Sequence, residues 1–152
     1  MLIKITNENC EIFEYLTQDY EEEVSSLTGK QKQADGKYAI DVHWNVPTND
    51  GFYWKEHGKI IGFVIKDTVE EYSDIGEFYV IPSYRRSGAG RRMAFAIFDR
   101  YPGQWQVRQI QGANTAKNFW RNVINQYTKG NYSELILDDP VWGKITCQQF
   151  KS

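Results

Sequence analysis

Two glycines in the middle of the chain separate a β-rich run from a helical pattern, and this junction constrains the fold most. The run "EFYVI" (77–81) is stopped by Pro82, which cannot donate to a sheet. Next, "GRRMAFAIFDRY" (90–101) places its apolar residues on one helical stripe. Gly88 and Gly90 lack a Cβ, so the chain can turn sharply there and a ligand can approach the backbone. A strand must therefore pass through a tight turn directly into a helix.

The start of this helix has the character of an anion site. Amide N–H groups in the first turn have no partner within a helix, and they point at whatever lies at its tip. The helix dipole adds to their effect, and so do four arginines: Arg85, Arg86, Arg91 and Arg92. The turn lacks a Walker loop's Gly-Lys-Ser/Thr and the third glycine of a dinucleotide fingerprint. Taken alone, the stretch is compatible with a phosphate site or with a plain glycine turn.

Length and composition indicate one globular domain, residues 1–152, with 41% hydrophobic residues and a core that needs no disulfide or metal. The longest apolar runs are far too short to cross a bilayer, and no leader pattern opens the chain. Cys10 and Cys147 have no metal-ligand spacing. We therefore expect a cytoplasmic protein with two reduced thiols, no membrane partner and no metal.

Charge is distributed unevenly along the chain. Residues 1–75 carry fifteen acids against seven lysines, whereas residues 76–152 carry seven arginines and four lysines against five acids. Such a chain could present an anion site on one side and a cation-attracting mouth on the other, although solvated surface charge explains most single residues. The arginines could also bind nucleic acid, but the acidic first half argues against that, so we expect no nucleic-acid partner.

The periodicity predicts a mixed α+β protein. Strands are predicted at 2–5, in a hairpin over 51–67, and at 74–81, 104–111, 133–137 and 143–150; helices are predicted at 8–27, 90–101 and 115–127. Helices should cover the faces of one sheet.

The glycine junction and the segments after it resemble a known family. Arg85-x-x-Gly88-x-Gly90, preceded by a strand ending in Val80 and by Pro82, resembles motif A of the GNAT superfamily of acyl-CoA-dependent N-acetyltransferases. The strand "QWQVRQIQ" follows, and "NTAKNFW" then resembles motif B. The likeness covers residues 51–127 well and looks like a bacterial branch of the superfamily. It implies a mixed, mostly antiparallel sheet of six or seven strands flanked by about four helices.

The resemblance also implies acetyl-CoA as co-substrate. Its pyrophosphate would lie on the amides of Arg86 to Arg91, and its pantetheine arm would pair with the backbone near Val80 and Ile81. The thioester would lie where "GEFYVI" and "QWQVRQIQ" splay apart. The implied cofactor-binding residues are Val80, Ile81, Arg85, Arg86, Ser87, Gly88, Ala89, Gly90, Arg91, Asn114 and Phe119.

The chemistry of this family is direct attack of a neutral amine on the thioester, which requires a base and a donor for the leaving thiolate. Glu77 is the candidate base or amine anchor, because amine acetyltransferases of the superfamily often carry an acid at that place. Strand alternation puts Glu77 on the face of Ile75 and Tyr79, opposite Phe78 and Val80. The alternative is a strand carboxylate that faces water.

Two departures from the family pattern stand out. Many members carry a tyrosine as general acid on the motif B helix, and the matching residue here is Trp120, whose indole cannot protonate a thiolate. Either a hydroxyl of Tyr79 or Tyr127 serves, or the thiolate leaves unaided; Tyr79 and Trp120 are candidate pocket residues. The spacing from Asn114 to "FW" is also one residue short, so the role of Asn114 is open.

The leading hypothesis is thus an N-acetyltransferase that acts on a primary amine in a ternary complex. The alternative is a non-catalytic acyl-CoA-binding sensor or interaction module, favoured by Trp120. The acceptor would be a small-molecule or peptide amine, and cationic if the acidic stretches "DYEEEVSS" and "DTVEEYSD" flank its entrance. Superfamily members are frequently dimers, so a homodimer is a further possibility.

Overall fold

The computed structural model describes residues 1–152, in which seven strands form one sheet with the order β1-β2-β3-β4-β5-β7-β6. The strands are β1 (Leu2–Lys4), β2 (Asp50–Glu56), β3 (Lys59–Val69), β4 (Tyr72–Val80), β5 (Gln104–Ile110), β6 (Tyr132–Asp139) and β7 (Gly143–Lys151). Only β4 and β5 are parallel neighbours. The helices are α1 (Cys10–Thr28), α2 (Ala89–Arg100) and α3 (Asn114–Thr128), with a single 3₁₀ turn at Pro82–Tyr84. The predicted α+β sheet is confirmed, flanked by three helices.

Each face of the sheet has its own apolar core. Helices α2 and α3 cover one face, where Met93, Ile97, Phe98 and Ile124 are fully buried against side chains such as Trp105. Helix α1 covers the other face over β1 to β4, and Phe13 and Leu16 pack there against strand residues, namely Tyr53, Phe63 and Tyr79. The apolar stripes of the three helices thus determine which face each one covers.

A β-bulge at Gly76 changes the direction of the side chains along β4. Ile65 pairs with Glu77, but the next residue of β3, Lys66, pairs with Ile75, so Gly76 is the extra residue. Because of this, Ile75 packs with Phe78 on the α2/α3 face. The prediction that Ile75 shares a face with Glu77 and Tyr79 is therefore wrong, since simple alternation ignores an inserted residue.

The acidic stretch "DTVEEYSD" forms the end of a hairpin. Strands β3 and β4 continue to the pair Val69 and Tyr72, and only Glu70 and Glu71 form the turn. Glu70 has a φ of 54°, in the left-handed region that two-residue hairpin turns require. Glycine or asparagine normally marks such a turn, so the sequence gives no signal for it.

Strands β4 and β5 pair over only two residue pairs, Ser73 with Trp105 and Asp74 with Gln106. Beyond these pairs the strands diverge, while β5 continues its full pairing with β7 on its other side. The sheet therefore has an opening in its middle, at the place where the family resemblance implied that the two strands splay.

We predict that Gly62→Ala weakens the attachment of β4 to β3. A Cβ on Gly62 would overlap the carbonyl oxygen of Tyr79, a backbone atom that cannot move without shifting β4. Overpacking of this kind costs about 1–3 kcal/mol, measurable by urea unfolding. Gly76→Ala is the matched control, because its Cβ would meet nothing closer than 3.4 Å. Equal stability of the two variants would contradict the prediction.

Candidate active site

One cleft of about 1970 Å³ passes through the opening between β4 and β5 and reaches both faces of the sheet. Of the fourteen predicted site residues, twelve line it: Glu77, Tyr79, Val80, Arg85, Arg86, Ser87, Gly88, Gly90, Arg91, Asn114, Phe119 and Trp120. Ile81 instead packs with the α1 core, and the Ala89 side chain is buried in the α2 core. The structure thus brings nearly all the predicted residues to one continuous site.

The glycine turn presents a row of free backbone donors to this cleft. Gly88, with a φ of 83°, precedes the first residue of α2, and Arg86 also has a positive φ of 64°. None of the amides from Arg86 to Arg91 donates a hydrogen bond to another protein group. On the other side of the turn, the Ser87 carbonyl accepts a bond from Arg92 and the Ser87 hydroxyl donates to Tyr84 O. These two bonds stabilise the turn, and its amides remain available to an anion.

The arginines around the turn divide into structural and free ones. Arg92 makes a bidentate pair with Glu56, at 2.8 and 2.9 Å, and does not line the cleft. Arg85 turns back to donate to Val80 O at 2.8 Å and to pair with Glu23 at 2.6 Å. Arg91 makes only a 3.3 Å bond to Gln126, and the Arg86 side chain has no partner. Arg86 and Arg91 are thus the side chains available to an anion at the turn.

The backbone at the end of β4 differs from the prediction at one residue. Ile81 N–H donates to Ile61 O at 2.9 Å, so it is not available to a ligand. Because antiparallel pairs alternate, the neighbouring Val80 directs its backbone groups away from β3, into the opening. The Val80 carbonyl accepts from Arg85, which leaves the Val80 amide facing the cleft.

Glu77 lies near the end of β4, where its half-buried carboxyl lines the cleft. The hydroxyl of Tyr20, from α1, donates to the Glu77 carboxylate. Burial raises the pKa of Glu77 to about 8, because the apolar surroundings disfavour the charged form. Glu77 therefore exchanges its proton near neutral pH, as a general base must.

Tyr20 is a site residue for which the sequence analysis gave no role. Its position on the inward stripe of α1, seven residues after Phe13 and four after Leu16, was the available signal. The contact with Glu77 joins residues 57 positions apart in the chain, so only the folded structure reveals it.

An aromatic cluster closes the α2/α3 side of the cleft. Trp120, 5% exposed, packs edge-to-face on Phe78 with ring centroids 4.7 Å apart, and Phe119 lies beside both. A Cβ on Gly90 would be 3.1 Å from the Phe119 ring, so glycine allows α2 to approach this cluster closely. The Trp120 indole N–H donates no bond within the protein, while its ring fills the core.

Three other predicted residues have clear positions. The Tyr127 hydroxyl donates to Asp99 at 2.7 Å outside the cleft, which excludes Tyr127 as the acid at this site. Tyr79 lines the cleft but is 4% exposed. Asn114 begins α3 with an exposed side chain that makes no hydrogen bond.

The structure contains no group of three or more side chains that could hold a metal ion. None of the three helices has both the length and the apolar character of a membrane span.

The raised pKa of Glu77 predicts a pH-dependent stability. The folded state holds this proton more tightly than the unfolded state, so stability should fall as pH rises from about 4.5 to about 8 and then level off. Glu77→Gln should remove this fall, which melting curves at pH 5 and pH 9 would show. Glu56→Gln is the control: Arg92 lowers the pKa of Glu56 to about 2, so this variant should shift melting equally at both pH values. A parallel pH dependence in parent and Glu77→Gln would contradict the assignment.

Solved structures that this chain resembles include acetyltransferases. An acetyltransferase from Thermus thermophilus is 12% identical with a TM-score of 0.69, over 100% of this chain and 96% of that one. The ribosomal-protein-S18-alanine N-acetyltransferase from Escherichia coli is 12% identical with a TM-score of 0.62, over 99% and 92%. A GNAT family acetyltransferase from Elizabethkingia anophelis with acetyl-CoA bound is 9% identical with a TM-score of 0.59, over 100% and 97%. At sequence identities this low, the similarity to these structures shows the fold alone.

The sequence comparisons agree with the fold. No curated protein matches the sequence. The family model described as acetyltransferase (GNAT) family matches residues 9–125, which include α1, the glycine turn and the two diverging strands. Because this match spans most of the chain, the protein belongs to the GNAT family of acetyltransferases.

Proposed function

We propose that the protein transfers an acetyl group from acetyl-CoA to a primary amine, by direct attack within a ternary complex. One observation carries the proposal: the unpaired amides at the start of α2 and the carboxyl of Glu77 line the same cleft. The amides suit a diphosphate, and the carboxyl suits the role of proton acceptor beside the acyl group.

The residues present fit acetyl-CoA. The amides of Arg86 to Arg91, with the side chains of Arg86 and Arg91, would hold the pyrophosphate. The Val80 amide would bind the pantetheine arm, and the opening between β4 and β5 would receive the thioester. The Elizabethkingia relative with acetyl-CoA bound supports this choice of co-substrate. The mostly apolar walls, among them Phe78 and Phe119, would keep water away from the acyl group.

Glu77 would take a proton from the incoming ammonium, which leaves a neutral amine. The amine nitrogen then attacks the thioester carbon, a C–N bond forms, and the C–S bond breaks with release of the CoA thiolate; the second proton that the nitrogen must lose passes to solvent. The Tyr20 hydroxyl donates to the Glu77 carboxylate, so it would give its own proton to the thiolate and take the Glu77 proton in exchange. This pair would supply what the family's tyrosine on α3 supplies elsewhere, since Trp120 stands at that place.

We predict that Gly90→Glu weakens coenzyme A binding more than tenfold, which is a loss of more than about 1.4 kcal/mol. The new side chain must displace the Phe119 ring, 3.1 Å from its Cβ, and it brings a negative charge to the diphosphate site. Isothermal titration calorimetry with coenzyme A measures the effect. Asn118→Glu, an exposed substitution on α3 outside the cleft, is the control for added charge. Unchanged affinity in Gly90→Glu would place the diphosphate elsewhere.

We predict that Glu77→Gln slows acetyl transfer roughly 100-fold without changing the dissociation constant for coenzyme A. The amide cannot accept the proton, whereas the diphosphate site is untouched. In the parent, the rate should rise with pH through an apparent pKa of about 8. Release of free thiol in the presence of acetyl-CoA and an amine panel measures turnover. Equal turnover in parent and variant would remove Glu77 from the mechanism.

The second candidate function is a non-catalytic acyl-CoA sensor, which the replacement of a tyrosine by Trp120 favours. The same panel separates the two: an enzyme releases thiol faster than the reaction without protein, and a sensor binds coenzyme A with no such release.

A further inference from the structure

Arg108 lies on β5 at the opening, and the mechanism described above does not use it. Its neighbours Trp105 and Val107 pack into the α2/α3 core, so by strand alternation Arg108 faces the α1 side of the cleft. Glu77 faces the same side from β4, where it contacts Tyr20 of α1. The two residues therefore lie on the two strands that flank the opening, on one face of the sheet.

A buried carboxylate fixes the orientation of Arg108. Its Nε lies 2.7 Å from Oδ2 of Asp74, a residue with no exposed surface that also accepts a 2.7 Å bond from Gln106. Asp74 and Gln106 form one of the two residue pairs that still join β4 to β5, so this anchor sits at the root of the opening. About a third of the Arg108 side chain remains exposed, and no hydrogen bond joins its terminal nitrogens to another protein group. An arginine held in this way presents a preformed fork of donors to an anion.

The acidic side chains on this side of the cleft are largely neutralised. Lys30 pairs with Glu21 and Asp41, and Arg85 pairs with Glu23. In the stretch "DYEEEVSS", Asp19 is exposed and has no ion pair, so the expectation that this stretch attracts a cation stays a prediction.

Of the remaining acids, Asp139 lines the cleft without an ion pair, and the acids of the β3–β4 turn lie outside the cleft. Asp139 accepts bonds from the amides of Val141 and Trp142. In the stretch "DTVEEYSD", the turn residues Glu70 and Glu71 do not line the cleft. Arg108 is thus the cation with open donors on the face that carries Glu77.

We propose that the acceptor is an amino acid: its carboxylate binds the Arg108 guanidinium while its amine lies at Glu77. This inference rests on the proposed function, which it extends by naming the substrate class. A zwitterion suits both groups of this face: its ammonium lies beside the Glu77 carboxyl, which accepts a proton from it, and its carboxylate lies beside the Arg108 guanidinium. An amine without an anionic group would leave the terminal nitrogens of Arg108 facing it without a partner.

Matched acceptors test the inference. Leucine and leucinamide differ only in the carboxylate, and glycine and glycinamide form a second pair; thiol release from acetyl-CoA gives kcat/KM for each. We expect the parent to favour the acids. Arg108→Gln should lower kcat/KM for the acids at least tenfold, mainly through KM. It should leave kcat/KM for leucinamide and glycinamide, and the affinity for coenzyme A, unchanged. Comparing the variant's effect on acid and amide cancels their different intrinsic reactivities.

Arg108→Lys keeps a cation beside Asp74, so it folds even where loss of the ion pair prevents Arg108→Gln from folding. Because lysine lacks the planar fork, we expect an intermediate KM for the acids. If Arg108→Gln loses kcat/KM equally on acids and amides, or if the parent shows no preference for the acids, the inference is overturned while the proposed function stands. If the parent prefers 2-aminoethyl phosphate to every acceptor that carries a carboxylate, the inference of an amino-acid acceptor is overturned in favour of an acceptor with a phosphate group. Coenzyme A binding without transfer to any amine would overturn the proposed function, and the inference with it.

Discussion

The divergence of β4 and β5 after two residue pairs is the constraint on which the rest of this site depends. A fully paired sheet would separate the α1 face from the α2/α3 face, whereas the opening lets one cleft reach both. The Gly76 bulge sends Glu77 and Ile75 to opposite faces, so that the carboxyl faces α1 and the apolar side chain joins the core. The opening also exposes the Val80 amide, which a paired neighbour would otherwise occupy.

Charge in this protein is mostly used to hold elements together. Arg92 and Arg85 join the glycine turn to distant carboxylates, and Lys30 neutralises two acids near α1. What remains open is a row of backbone donors at one end of the cleft and, on the other side, Glu77 and the fork of Arg108. This separation suits a long anionic co-substrate held by its diphosphate and a small acceptor held by its own charges.

The local features of the fold could be predicted from the sequence, and the features that depend on distant partners could not. The glycine turn, α2 and α3 follow from periodicity and glycine placement within a few residues. The partners of Arg85 and Arg92 lie 62 and 36 positions away, and nothing in the local pattern identifies them. The face of Ile75 was mispredicted because one extra residue at Gly76 reverses strand alternation. The sequence analysis gave Arg108 no role, because its side chain is oriented by Asp74, which lies on another strand.

The most direct test of the central claim is an amide NMR titration of the protein with coenzyme A. The account predicts that the largest chemical-shift changes fall on the amides of residues 86–91, with a smaller change at Val80, since these donors have no protein partner. The amide of Ile81, already bonded to Ile61, should change least along this stretch. An unchanged spectrum at millimolar coenzyme A, or changes confined to another surface, would contradict the account.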